Sequence, residues 1–252
     1  MIPPFPTRDS SLPASSLIGD SDAPQVERRD TPPSALWTRV AQTFVSPARL
    51  FSGFHDASPW LGVLAISTLA AMIAATLLPA EHFLARMDDP VNRLGTPVEV
   101  TSPPGEIARW GRYLQVLGAL VMYPMIAFAL AGLLTLVFTV VGRGRASFRQ
   151  YLAVASHALL IPALGVIVGI GMRIATADAG AEPTVARLLS FAGPAVTGNA
   201  FLASLNVFSL WMLVVLGVAV AVLDGRPSWI RPAVALLGIY MLLAGASVLI
   251  AT

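Results

Sequence analysis

Few residues in this chain of 252 have the type and spacing that chemistry requires. The clearest candidate is His157, which lies in an uncharged stretch about one turn before Pro162. An ionisable side chain at membrane depth is a functional candidate by default. The ring lies only about 10 Å from the nearer end of that stretch, so it could also reach the interface. We favour a neutral histidine with one interhelical hydrogen bond over proton or ion handling, because none of the long uncharged stretches supplies a carboxylate relay partner.

Other arrangements of reactive side chains are weaker. His55 and His82 flank an apolar stretch at its opposite ends, so with His157 they cannot form a metal site. Asp88 and Asp89 are adjacent in a polar segment, where neighbouring side chains point in different directions. They are therefore not expected to act together as a general acid and a general base. The chain has no cysteine, which excludes disulfides and thiolate ligands. It also has no serine-nucleophile elbow, P-loop or dinucleotide-binding glycine pattern. We expect a protein that is not an enzyme and has no catalytic, cofactor-binding or metal site.

The composition indicates a membrane protein. Hydrophobic residues make up 56% of the chain and charged residues 12%, and the mean hydropathy is +0.73. Soluble domains carry about a quarter charged residues. Five stretches without any charged residue are each long enough for a bilayer crossing, which needs about 20 apolar helical residues. These stretches argue against a soluble enzyme, and the net charge of only +2 does not indicate nucleic-acid binding.

The sequence before the first long apolar stretch divides into two parts. Residues 1–33 contain seven prolines and no apolar periodicity, so we predict a disordered Pro-rich tail that is not a signal peptide. Residues 34–57 are predicted to form an amphipathic juxtamembrane helix with a bend at Ser46 and Pro47. We expect it to lie in the headgroup plane. Packing on the protein's own helices is the alternative, and the two do not exclude each other. The apolar stripe consists of Trp37, Val40, Phe44, Ala48, Phe51 and Phe54.

Residues 58–252 are predicted to form an all-α polytopic bundle of five transmembrane helices. Ser58 and Pro59 open the first helix, and Pro124 is expected to kink the second. The segment 81–112 carries nine charges and is predicted to be a water-exposed loop. The stretch 188–205 contains glycine and proline breaks, so we predict a short interfacial or re-entrant segment. The five predicted spans are about 59–79, 114–141, 151–172, 207–223 and 232–251.

The arginines predict an orientation. Five lie in the tail and the juxtamembrane helix, three at 143–149 and two at 226–231, whereas the two long loops together hold six. Because cytoplasmic segments retain positive charge, we expect an inner (cytoplasmic) membrane protein with a cytoplasmic N-terminus and an external C-terminus. A single cysteine at Ser102 should then react with an impermeant reagent in intact cells, and one at Ser147 should not.

Glycines mark places where helices could approach closely. Gly165, Gly169 and Gly171 lie in the third predicted span, and Gly238 and Gly245 lie seven residues apart in the fifth. Small residues let membrane helices pack backbone against backbone. We favour packing inside the bundle, since five helices need such contacts, and homo-oligomer formation is the alternative.

Three segments carry a resemblance to a known family. They are residues 44–51 (FVSPARLF) leading into Ser58-Pro59-Trp60, residues 148–162 with His157 and Pro162, and residues 205–211 (LNVFSLW) with Asn206 and Trp211. Their order resembles the bacterial members of the Yip domain family, integral membrane proteins with a cytoplasmic N-terminal region and five clustered spans. The resemblance covers about residues 36–250. It departs from the family at the Pro-rich tail and at the Pro-rich segment 90–104.

The resemblance implies an accessory partner of export machinery. Our leading hypothesis is therefore a non-enzymatic membrane protein that binds a membrane-protein partner laterally within the lipid bilayer. One alternative is a small transporter or channel. A second is a lipid-handling or membrane-shaping protein that acts through residues 34–57 and 188–205. The candidate polar or packing positions are His157, Pro162, Gly165, Gly169, Asn206 and Trp211.

Overall fold

The computed structural model describes residues 35–55, 58–77, 104–178 and 181–251. Every named secondary-structure element within these ranges is a helix. One isolated antiparallel β-bridge joins Thr184 to Asn206. The α-helices are α1 (Leu36–Val45), α2 (Pro47–Ser52), α3 (Leu61–Leu77), α4 (Pro104–Leu134), α5 (Phe148–Ala158), α6 (Leu160–Thr176), α7 (Val185–Leu188), α8 (Pro194–Thr197), α9 (Ala200–Ser204), α10 (Val207–Asp224) and α11 (Ile230–Ala251). Helix α4 continues as a π-helix over Thr135–Val141, and 3₁₀ turns occupy Gly53–His55 and Ser190–Ala192.

Three helical stretches are long and apolar enough to cross a membrane: Arg109–Val141, Phe148–Thr176 and Val207–Asp224. Leu61–Leu77 and Ile230–Ala246 are shorter apolar helices. The prediction of an all-helical fold is thus confirmed for the described residues, and the three long apolar helices are consistent with a membrane protein. The count of five spans is not confirmed. The first predicted span ends at residue 79, outside the described residues.

Helices α5 and α6 form the centre of the bundle. The most apolar window of Phe148–Thr176 is 72% buried, against 22% for Arg109–Val141, so the latter stretch is peripheral. Leu50, Tyr151 and Leu216 are among the largest fully buried side chains of the core. Because lipid tails are as apolar as leucine, close van der Waals packing stabilises such a core inside a membrane.

Local chemistry explains where α5 and α6 begin and break. Ser147 and Gln150 form a capping box, so α5 begins three residues before the predicted Tyr151. Pro162 has no N–H, so it cannot bond to the carbonyl oxygen of Ala158. The turn at Leu159 falls at this point, and the amide of Ala163 bonds to the Leu159 carbonyl oxygen at 3.2 Å as the helix resumes.

Helix α2 and the following turn pack inside the bundle. Leu50, Phe51 and Phe54 are fully buried in the core, and Phe44 meets Trp211 of α10 edge-on, with ring centroids 5.6 Å apart. Packing on the protein's own helices, the stated alternative to a headgroup position, therefore holds for this segment. The predicted bend is confirmed, with Pro47 at the first position of α2.

Helix α1 covers a mixture of polar and apolar side chains. Thr43 is fully buried and Phe44 packs against the core, whereas Trp37 is 72% exposed. Of the predicted apolar stripe in α1, Phe44 therefore faces the bundle and Trp37 does not.

Part of the predicted loop at 81–112 is helical, because α4 begins at Pro104. Proline is well suited to a first helical turn, where its missing N–H has no partner to lose. Residues 81–103 lie outside the described residues, as do His82, Asp88, Asp89 and the predicted tail.

The segment between α6 and α10 is a closed loop of short helical turns. Its ends are joined by bonds from the amide of Val185 to the Leu205 carbonyl oxygen (2.9 Å) and from that of Val207 to the Pro183 carbonyl oxygen (3.0 Å). The predicted breaks are confirmed, since Gly193 has a φ of 107° and Pro194 begins α8. Two ion pairs, Arg173–Glu182 and Arg187–Asp178, join the last turn of α6 and the residues just after it to the start of the closed loop.

Candidate functional site

The His157 side chain is completely buried near the end of α5. Its Nδ1 lies 2.7 Å from the Ala153 carbonyl oxygen, which can only accept, so Nδ1 carries the proton in the neutral ring. Nε2 is then a bare acceptor, and it has no hydrogen-bond partner among the described residues. The His157 ring packs against the Phe54 ring, with the two ring centroids 5.1 Å apart. The predicted interhelical hydrogen bond is therefore absent from the described part of the chain, because the ring bonds within its own helix.

Helix α1 packs against α5, the helix that carries His157, and it also holds buried polar atoms. Arg39 Nε and Gln42 Oε1 are buried and, within the described ranges, have no hydrogen-bond partner, while the Thr43 hydroxyl donates to the Arg39 carbonyl oxygen at 3.0 Å. These groups of α1 include no carboxylate.

Replacing His157 with leucine is expected to leave the melting temperature of the detergent-solubilised protein unchanged or higher. A buried polar atom without a partner costs about 1–3 kcal/mol, and leucine removes Nε2 while filling most of the volume. His157→Ala is the matched control, and the cavity it leaves should lower stability by about 2–4 kcal/mol. A clear loss of stability in the leucine variant would contradict this structural description. Loss of function at unchanged stability would show that the ring has a chemical role.

A second polar centre, which the sequence analysis missed, lies at the end of α10. The Asp224 side chain is 2% exposed. Its Oδ1 accepts from the backbone amides of Arg145 (3.1 Å) and Ala146 (3.2 Å), and its Oδ2 accepts from Arg226 Nε (3.0 Å) and Nη2 (2.9 Å). Arg226 also lies over the Phe138 ring, with its Cζ 5.6 Å from the centroid. Asp224 thus joins the loop 142–147 to the turn after α10.

This junction brings arginine-bearing segments to one end of the bundle. Gln150 Nε2 donates to the Phe54 carbonyl oxygen at 3.2 Å, which ties the turn after α2 to the same end. A Cβ on Gly144 would lie 2.5 Å from Asp224 Oδ2, so only glycine fits there. The sequence signal was Asp224 itself, an acid that directly follows the long uncharged stretch 188–223.

Asn206 and Trp211 position the start of α10. The Asn206 side-chain oxygen caps the helix by accepting from the amides of Phe208 and Ser209, and the Asn206 amide donates to the Tyr240 hydroxyl at 3.3 Å. Trp211 packs between Phe44 and Phe208. Asn206 and Trp211 therefore hold helices together. His55, the other histidine within the described ranges, is exposed in the turn after α2.

The predicted glycines differ in their surroundings. A Cβ on Gly165 would lie 2.8 Å from the Phe208 ring, and one on Gly169 would lie 3.5 Å from Pro183. Packing inside the bundle therefore holds for Gly165. Added Cβ atoms at Gly171, Gly238 and Gly245 would meet nothing within 4 Å. Among the described glycines within helices, the closest approach to the backbone of another helix occurs at Gly217, which was not predicted, where a Cβ would lie 2.8 Å from the Cα of Ala233 in α11.

Searches of protein-family models, curated proteins and solved structures find no match to this chain. No group of three or more metal-binding side chains occurs within the described ranges. The fold and its polar centres thus define an all-helical protein with three helices long and apolar enough to span a membrane.

Proposed function

We propose that this chain is a five-span, Yip-like protein of the inner membrane that acts by binding a membrane-protein partner laterally. It would serve as an accessory subunit or scaffold of a transport or envelope complex, without enzymatic activity. The observation that carries the proposal is the uneven burial of the candidate spans, with a covered central helix and a largely uncovered outer helix.

The outer helix α4 belongs to the least buried of the three candidate spans and so offers the largest lateral surface among them. Leu117, Val121, Met125 and Phe128 follow one another at helical spacing, and each is between 45% and 58% exposed. An added Cβ at Gly118 would meet nothing within 4 Å. A partner helix could therefore approach this surface without displacing any described side chain.

The packing of the centre favours a scaffold over a transporter. Phe51, Tyr151 and Ile161 fill the core and are fully buried. The three candidate spans contain a single carboxylate, Asp224, and its oxygens are taken by four donors at the end of the bundle. Ion-coupled transporters place ionisable groups along the path, and this core lacks such a series in its described part.

Site-specific photo-crosslinking in native membranes tests the proposal. A photoreactive amino acid at Leu117 or Met125 should give a discrete adduct with one partner protein of constant mass. The matched control is Val234 on α11, which is 59% exposed and should give no such adduct. If every position captured lipid alone, lateral partner binding through α4 would be wrong.

Cysteine labelling tests the proposed five spans and their orientation. The chain has no native cysteine, so Ser190→Cys, Ser102→Cys and Pro227→Cys each carry one thiol. The first two should react with an impermeant reagent in intact cells, and the third should react only after permeabilisation, because segments rich in arginine stay in the cytoplasm. Ser190 and Pro227 are exposed, whereas Ser147 caps α5 and is best left unchanged. The inverse labelling pattern would reverse the orientation, and equal labelling at Ser190 and Pro227 would contradict the span count.

A further inference from the structure

Four exposed arginines surround the end of the bundle that Asp224 closes. They are Arg143 and Arg145 in the loop 142–147, Arg149 in the first turn of α5 and Arg231 in the first turn of α11. None of the four forms an ion pair within the described part of the chain. We call them the arginine surface.

The backbone that carries this surface is held in place. The Gly142 amide bonds to the Val137 carbonyl oxygen at 3.0 Å, and the Gly144 amide bonds to that of Phe138 at 2.8 Å. Arg143 between them has a φ of 53°, a left-handed conformation that non-glycine residues rarely adopt. Asp224 fixes the next amide, that of Arg145. The side chains therefore project from an ordered loop, which reduces the entropy lost when they bind a ligand.

No carboxylate in the described ranges neutralises the charge of the arginine surface. Asp224 is the one carboxylate that the structure describes at this end, and it is buried and bonded to Arg226. At the opposite end, Arg173 and Arg187 are both paired with carboxylates. Among the described residues, the arginine surface is thus a concentration of positive charge without a carboxylate partner.

Apolar side chains identify the environment of these arginines. Phe148 is 42% exposed, Trp229 is 45% exposed and Ile230 is 54% exposed, and they neighbour Arg149 and Arg231 in sequence. Aromatic side chains next to arginine at the end of apolar helices are typical of the bilayer headgroup level. An anion at this level is more readily supplied by lipid than by the solvent.

We propose that the arginine surface binds the phosphate groups of anionic phospholipids. Guanidinium groups pair with phosphate through two parallel hydrogen bonds, and four of them around one helix end can hold more than one headgroup. The site is independent of the lateral partner proposed above, and it gives this end of the bundle a preference for anionic membrane.

Thermal unfolding of the full-length protein in neutral detergent tests this inference. Added phosphatidylglycerol should raise the Tm, and the same amount of phosphatidylcholine should not. The double variant R143Q/R145Q should weaken the apparent affinity for phosphatidylglycerol by about tenfold or more, because each arginine near an anionic surface adds to the attraction. High salt should reduce the effect in the unmodified protein.

A second double variant, which removes the same number of positive charges from another part of the protein, provides the control. R109Q/R112Q removes two exposed arginines from α4, outside the arginine surface, and should retain the response to phosphatidylglycerol. Equal loss in both double variants, or loss in neither, would overturn the proposed site. Inorganic phosphate that raised the Tm as much as phosphatidylglycerol would replace the lipid with a soluble anion. If R143Q/R145Q failed to fold, Arg149→Gln would serve instead, since this side chain makes no described hydrogen bond, and an unchanged response in that variant would count against the proposal.

Discussion

Replacing Asp224 with alanine is expected to lower the free energy of unfolding by about 3–5 kcal/mol, the range for breaking a buried charge pair. The change leaves the Arg226 guanidinium and the backbone amides of Arg145 and Ala146 without their acceptor. It also removes the bond between two segments that are far apart in sequence. Denaturation of the purified protein in detergent, followed by circular dichroism, measures the loss.

The ion pair between Arg187 and Asp178 gives the matched control for Asp224. The two side chains are 37% and 48% exposed, so Arg187→Ala should cost only about 0–1 kcal/mol. Asp224→Asn should fall between the two, since its amide oxygen can still accept from the loop. Equal stability of the alanine variants at 224 and 187 would show that the junction does not hold the bundle end together.

Gly217→Leu is expected to separate α10 from α11. A Cβ at this position would lie 2.6 Å from the Ala233 Cβ and 2.9 Å from its amide nitrogen, and backbone atoms cannot move aside as a flexible side chain can. Overpacking of this kind costs about 1–3 kcal/mol and shifts the backbone. Increased protease sensitivity of the C-terminal helix and a lower melting temperature would report it.

Gly238→Leu is the control within the same helix pair, because a Cβ at Gly238 would meet nothing within 4 Å. Leucine favours helix over glycine by several tenths of a kcal/mol, so this variant should be as stable as the unmodified protein or slightly more stable. Equal damage from both substitutions would contradict the packing described for α11. A change of oligomeric state confined to Gly238→Leu would indicate contact with a second molecule at this position.

Local features of the fold could be predicted from the sequence because local rules decide them. Pro47 begins a helix, and Gly193 with Pro194 interrupts a helical segment. Each depends on the missing N–H of proline or the conformational freedom of glycine. These positions were recognised without any knowledge of the tertiary structure.

The face on which α1 packs could not be predicted in the same way. A 3.6-residue alternation of apolar and polar side chains shows which residues share a face of the helix, but not which neighbouring helices cover that face. Thr43 is fully buried and Phe44 packs against the core, while Trp37 is exposed. The helices that pack against α1 decide which of its side chains are covered, and several of them come from distant parts of the sequence.

Asp224 was missed for a different reason. The sequence shows an acid in a tight turn, but the two backbone amides that donate to it belong to Arg145 and Ala146, 79 and 78 residues earlier. The close approach at Gly217 likewise depends on where α11 returns. Contacts between distant segments are set by topology, which neither periodicity nor capping signals specify.

The burial of α2 has a consequence for the order of events during synthesis. Phe44 and Phe51 are synthesised well before Trp211 and Leu216 of α10, which complete their surroundings. Until then α1 and α2 lack part of their binding surface. A contact of such long sequence separation forms late. The α1–α2 segment should therefore enter its final position only after α10 has been inserted.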